Sequence, residues 1–156
     1  MVHPVAEKSL RDALARARNA VRSQAWSAAF SAFVEADRQA PLECGDLELL
    51  STAGHLIGKE AESREALARA HQGYLARGEV RRAARCAAWL SFVSQLRGDS
   101  AQASGWLSRG RRLLESDGDC VEKNYLLLPV GMAAVQQGDF AGAHAAFVEF
   151  RRRLAR

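Results

Sequence analysis

The chain is poor in the residues that build sheets, disulfide frameworks and membrane spans. Its three cysteines, Cys44, Cys86 and Cys120, are odd in number and widely spaced, and they form no C-x-x-C or Cys/His cluster. That pattern supports neither a disulfide framework nor a zinc site, and reduced thiols in a cytoplasmic protein are the expectation. Aromatic residues make up only 7% of the 156 residues, β-branched residues are few, and apolar and polar residues nowhere alternate for long. Strands are therefore not expected. The most apolar run, Tyr125 to Val135, is far too short to span a bilayer. The opening MVHPVAEKSL lacks the basic-then-apolar order of a secretion signal. His3, His71 and His144 show no H-x-x-x-H or H-E-x-x-H spacing, and G-x-S-x-G and G-x-x-x-x-G-K-[ST] are both missing. No metal and no cofactor is expected.

What the chain has is alanine, and a hydrophobic share of 48% that is enough for one domain with a real core. Alanine-rich helices can approach one another closely, so the fold class expected is all-α. The organising stretch is WSAAFSAFVEADRQAP, Trp26 to Pro41. Ala29, Phe33, Ala36 and Pro41 stand there at offsets 0, 4, 7 and 12. The first three share one helix face, and the proline, with no N–H to give, stops the helix. Ser63, Leu67 and Ala70 repeat the offsets 34 residues later. Ala103, Leu107 and Gly110 follow after 40 more, then Ala143, Phe147 and Phe150 after another 40.

The rest of the helices follow from punctuation. Val5 to Arg22 carries an apolar stripe of Leu10, Leu14, Ala17 and Val21. Glu7/Arg11, Asp12/Arg16, Glu60/Arg64 and Glu65/Arg69 are spaced as i,i+4 pairs on wet faces. Residues 41 to 45 read as a connector, with Asp46 as N-cap of a helix over Leu47 to Ile57. Gly58, Gly78-Glu79, Gly98-Asp99 and Gly138-Asp139-Phe140 read as turns, and Asp99 or Ser100 as a cap. A helix over Val121 to Gln137 contains Pro129, which is expected to kink it.

The A-x3-F and closing proline of Trp26 to Pro41 resemble the second helix of a tetratricopeptide repeat, the 34-residue helix–turn–helix unit. The resemblance covers about residues 10 to 154 and is strong again at Gly138 to Phe150. It implies a right-handed superhelix, or α-solenoid, of four helix pairs in a single domain over 1–156, with units at 5–41, 44–77, 79–116 and 120–155. A narrower stretch, GEVRRAARCAAWLSFVSQLRGDSAQASGWLSRGRRLLE from Gly78 to Glu115, is similar to the repeat region of large LuxR-type transcriptional regulators of bacteria. The DNA-reading helix-turn-helix of those regulators is not expected to follow, since RRRLAR closes the sequence. What the resemblance implies is a repeat module with a regulatory or adaptor role.

In such a solenoid the first helix of each pair lines the inner groove. Projected onto this chain, the groove takes Arg11, Leu14, Arg18 and Arg22, then Glu48, Thr52, His55 and Leu56. Arg85, Ala88, Phe92 and Gln95 follow, then Tyr125, Leu128, Met132 and Val135. One end is basic and the other apolar, which suits a peptide or helix with an acidic end and hydrophobic anchors. A small signal ligand would occupy the same groove. The expectation is therefore a non-catalytic scaffold or sensor. The alternative from another class is an enzyme built around His55, Glu48 and Arg85. Glu48 and His55, however, stand seven residues and about 10 Å apart along one helix face, too far for a direct hydrogen bond.

A third reading rests on the net charge of +4 and the arginine clusters Arg81/Arg82/Arg85, Arg109/Arg111/Arg112 and Arg151–Arg153 with Arg156. Helix phase spreads consecutive arginines around the axis, and no aromatics interleave them to stack bases. Cations near helix C-termini, complementing the dipole, are favoured over nucleic-acid contacts. Finally, Phe147, Phe150 and Leu154 fall on the last helix. They need cover, from further chain, a partner or a second copy, so a homodimer through that helix is expected as one outcome.

Overall fold

Five helix–helix junctions are made by one and the same turn. Gln24, Gly58, Gly78, Gly98 and Gly138 all sit at positive φ, between 57° and 78°. At each, that residue donates its N–H to the carbonyl three residues back, and the next residue donates to the carbonyl five back: Gly58 to His55 and Lys59 to Gly54, Gly98 to Gln95 and Asp99 to Ser94. These are the two bonds of a left-handed helix stop, which satisfy carbonyls that the ended helix would otherwise strand. Chain reversal at Gln24, Gly98 and Gly138 brings the flanking helices together as a hairpin.

The computed structural model describes residues 4–155, with side chains from residue 7 onward; His3 and Arg156 lie outside the described residues. The described residues form nine helices and no strand: α1 (Pro4–Arg22), α2 (Trp26–Gln39), α3 (Cys44–Leu56), α4 (Glu60–Ala76), α5 (Val80–Leu96), α6 (Ser100–Leu113), α7 (Val121–Tyr125), α8 (Leu127–Gln136) and α9 (Phe140–Leu154). The all-α expectation holds. Two compact units divide the chain, Met1–Gly73 and Tyr74–Arg156.

In the first unit α1 packs on α2, and both meet α3. The contact surfaces are made of small residues with one aromatic plug: Ala13 and Ala17 from α1, and Ala29, Phe33 and Ala36 from α2, all fully buried. Side chains this small let helix axes come close, and Phe33 fills the remaining gap. α3 and α4 are pinned where they cross, the Ser63 hydroxyl donating to the Ser51 carbonyl at 2.7 Å. Gly54 lies at this crossing, where an added Cβ would stand 3.2 Å from the Phe30 ring.

Asp46 does not cap α3. The helix begins at Cys44, inside the stretch expected to be a connector, with Glu43 at the N-cap position. Asp46 is instead buried within the first turn and takes both ends of the Arg18 guanidinium, at 2.9 and 2.7 Å. A side chain engaged across to α1 cannot also fold back onto its own helix end. Tertiary pairing similarly redirects two arginines placed in i,i+4 pairs. Arg16 reaches Glu35 on α2 at 3.3 Å, and Arg69 grips Asp37 on α2 with two bonds of 2.6 and 2.8 Å. An aligned acceptor on a neighbouring helix offers better geometry than one on the same exposed face.

In the second unit α5 is the central helix, packed against α6, α7 and α8, while α9 covers α7 and α8. Ala84, Ala88, Leu114 and Leu126 form a core cluster there. Gly110 has no side chain because Leu126 occupies that space: an added Cβ would lie 2.8 Å from its Cδ2. Ser91 donates to the Ala103 carbonyl at 2.7 Å. It thereby pins α5 to α6 at the positions 40 residues on from the Ser51–Ser63 crossing. Asp99 and Asp139 cap α6 and α9, accepting from Gln102 N at 3.0 Å and Gly142 N at 2.9 Å. The expected helix over Val121 to Gln137 is broken at Leu126 into α7 and α8, with Pro129 in the first turn of α8, where a missing N–H costs least.

Candidate interaction face

α5 is buried almost all round. Ala83, Ala84, Cys86, Ala87, Ala88, Leu90, Ser91, Ser94 and Gln95 are all inside. One strip escapes: Arg85, Trp89, Phe92 and Leu96, at i, i+4, i+7 and i+11, with Trp89 38% and Leu96 53% exposed. Small residues occupy the arc where neighbouring helices press in, so the bulky ones are left where there is room. Trp89 meets Phe92 edge-on, ring centres 5.8 Å apart, and leans on Tyr125 of α7 at 6.3 Å. Such offset and edge contacts hold aromatic rings in fixed orientations. Val121, one turn before Tyr125, is 58% exposed and extends the apolar strip onto α7.

Six of the eight groove residues expected in this unit keep an outward aspect, among them Phe92, Tyr125, Leu128 and Met132, which are half-buried. Val135 is exposed and Arg85 half-buried. Two do not. Ala88 belongs to the core, and Gln95 is buried, its side-chain amide donating to the Pro129 carbonyl at 2.7 Å. Gln136 in turn donates to the Gln95 backbone carbonyl at 3.0 Å. Gln95 therefore brackets α5 to α8, and its Oε1 meets no donor among the described residues. The expected strip was off by one residue at two of its four places. Trp89 and Leu96 are the members that sequence reasoning missed. The signal that could have found them was the alanine run around Arg85, which marks the buried arc.

In the first unit, Arg11, Arg18 and Arg22 are exposed on α1, with Leu14 half-buried. Arg18 is engaged by Asp46, and Arg22 donates to Asn19 one turn back. On α3, Thr52, His55 and Leu56 are exposed and Glu48 half-buried. The Thr52 hydroxyl donates to the Glu48 backbone carbonyl at 2.9 Å, which directs its proton away from any base. His55 Nδ1 lies 3.2 Å from Glu60 Oε1, across the Gly58 turn. Glu60 is thus a carboxylate within reach of the ring. No group of three His, Cys, Asp or Glu among the described residues is placed to hold a metal ion. Among them, too, no helix is long and apolar enough to cross a membrane.

The C-terminal expectation needs one adjustment. Phe147 and Phe150 are half-buried, and Phe147 lies against Gly131, where an added Cβ would come within 2.7 Å of the ring. Leu154 is 58% exposed. The arginine clusters are largely engaged within the chain. Arg81 meets Asp117 at 2.8 Å, Arg82 meets Glu79 at 3.1 Å, and Arg109 lies over the Trp106 ring at 4.7 Å. Arg152 and Arg153 share Glu149, and those two guanidinium groups hold its carboxyl down at about 2.

Compared with protein-family models, curated proteins and solved structures, the chain matches none.

Proposed function

We propose that the chain is a non-catalytic helical-repeat scaffold of the tetratricopeptide kind, an adaptor or sensor module in cytoplasmic regulation. Its binding surface is the strip of Trp89, Phe92, Leu96, Val121 and Tyr125. The supporting observation is this exposed aromatic strip on a helix that carries three arginines and no acidic residue. Rigid aromatics partly open to water are what binding surfaces use as anchors. The recurrence of one turn and of the serine-pinned crossing supports the repeat reading. The favoured occupant is a peptide segment with apolar anchors and acidic flanks, because α5 carries arginines and no carboxylate, and Asp117 and Glu79 cancel the charge of Arg81 and Arg82 only in part.

The test uses the whole chain and two synthetic peptides that share Leu and Phe anchors, one flanked by Asp and Glu, the other by Lys. Saturable binding of the acidic peptide, weakened at least tenfold by Trp89→Ala, is the expected result. Equal binding of both peptides, or binding indifferent to Trp89→Ala, would overturn the assignment.

A further inference from the structure

The apolar strip of α5 continues into charge at its N-terminal end. Arg81, Arg85, Trp89, Phe92 and Leu96 follow at i, i+4, i+8, i+11 and i+15. At 100° per residue all five fall within an arc of about 80°, so the two arginines share the face of the aromatics. Arg81 is the more open of the two, its side chain 59% exposed, while Arg85 is half-buried. Arg81 precedes Trp89 by about 12 Å along the helix axis. An extended peptide anchored at Trp89 covers that distance in about three or four residues, so an acidic flank reaches Arg81.

That place is already taken. Asp117, in the connector between α6 and α7, accepts from Arg81 Nε at 2.8 Å, its own side chain 27% exposed. Glu122 of α7 also attracts the Arg81 cation, less strongly. The Asp117 carboxylate is surplus to the holding of the connector. Its backbone N–H donates to the Leu114 carbonyl at 3.2 Å, and Lys123 Nζ donates to its backbone carbonyl. Farther along, Arg153 of α9 grips Asp119 at 2.9 Å. Backbone bonds and Asp119 thus fix the loop, while the Asp117 side chain is left to face α5. Given the strip as a binding face, we infer that Asp117 is an intramolecular competitor for the acidic flank of the occupant. Arg81 exchanges one carboxylate for another when the peptide arrives. The exchange sets a threshold: anchors without an acidic flank leave Asp117 in place, and a strongly acidic flank displaces it.

Fluorescence anisotropy on the whole chain reads the competition with two labelled peptides. Both carry Leu and Phe anchors, one flanked by Asp and Glu and the other by Ser. Asp117→Asn keeps the size of the side chain and removes its charge. It should tighten binding of the acidic peptide by about three- to tenfold at low salt and leave the Ser-flanked peptide unchanged. The gain should shrink as salt is raised and vanish in an Arg81→Gln background. Glu122→Gln changes the net charge by the same amount and should give a clearly smaller gain. Unchanged or weaker binding of the acidic peptide by Asp117→Asn would overturn the inference. So would an equal gain from Glu122→Gln, or an equal gain for the Ser-flanked peptide. In those cases the parent still binds the acidic peptide through Trp89, and the interaction face stands. If the parent and Asp117→Asn both fail to bind it, the face falls and the inference with it. The melting temperature of Asp117→Asn should stay near the parent's; a large fall would show that the carboxylate holds the loop and would overturn the competitor role.

Discussion

The two ions of the Arg18–Asp46 pair are unequally exposed, with side-chain accessibilities of 53% and 5%. Removing one partner is therefore not equivalent to removing the other. Arg18→Ala leaves a carboxylate inside α3 with its cation gone, a change expected to cost about 2–3 kcal/mol. Asp46→Ala leaves an arginine that can turn into water, and should cost about 1 kcal/mol. Urea denaturation of the two variants checks the order, and equal losses would contradict it. Asp37 gives a pH signature. The two bonds from Arg69, helped by the Leu42 N–H, lower its pKa in the folded chain. A carboxyl lowered by folding stabilises the protein above its unfolded pKa, and that contribution is lost as pH falls through the folded value. Asp37→Asn should thus lower the melting temperature at neutral pH and converge with the parent as pH drops below about 3.8. A gap that stays constant down to acid would show that the Asp37 charge contributes nothing.

At the scale of elements, the shared turn supplies an internal control. An added Cβ at Gly58, Gly78, Gly98 or Gly138 would meet nothing within 4 Å, so substitution there is felt only through the backbone. At positive φ an L side chain crowds its own carbonyl, and Gly98→Ala should cost about 1 kcal/mol. Gln24 holds the same conformation without that freedom, at φ 57°. Gln24→Gly should therefore stabilise, by about 0.5 kcal/mol once the added freedom of the unfolded chain is set against the relieved strain. Opposite signs for the two changes, read from denaturation midpoints, are the expected outcome. The turns themselves were legible as Gly followed by a polar residue. The one at Gln24 was legible only as a break between two amphipathic stretches, since nothing about glutamine announces a left-handed residue.

For the whole molecule, the charge distribution separates peptide binding from nucleic-acid binding. Arginines engaged by Asp117, Glu79 and Glu149 have part of their field cancelled on the spot. A duplex or single-strand oligonucleotide should bind weakly and be released by about 0.2 M salt, as expected of phosphate contacts without base readout. Tight binding that persists there would favour the nucleic-acid reading instead. The sequence by itself determined the helices, most of their ends and the buried slots. Periodicity, proline and glycine act over a few residues, so Ala29, Phe33 and Ala36 announce one face without knowing its neighbour. Only the tertiary structure decided which outward residues remain outward. Gln95 and Ala88 lay one position from the open strip, and helix phase alone cannot say how wide an arc the packed helices cover. It also decided the partners of the charges. Asp46 left its cap for Arg18, and Arg69 its own helix for Asp37, because two-point geometry between helices outcompetes a flexible neighbour in water. Pairing of that kind depends on how helices cross, and no local pattern in the chain encodes the crossing.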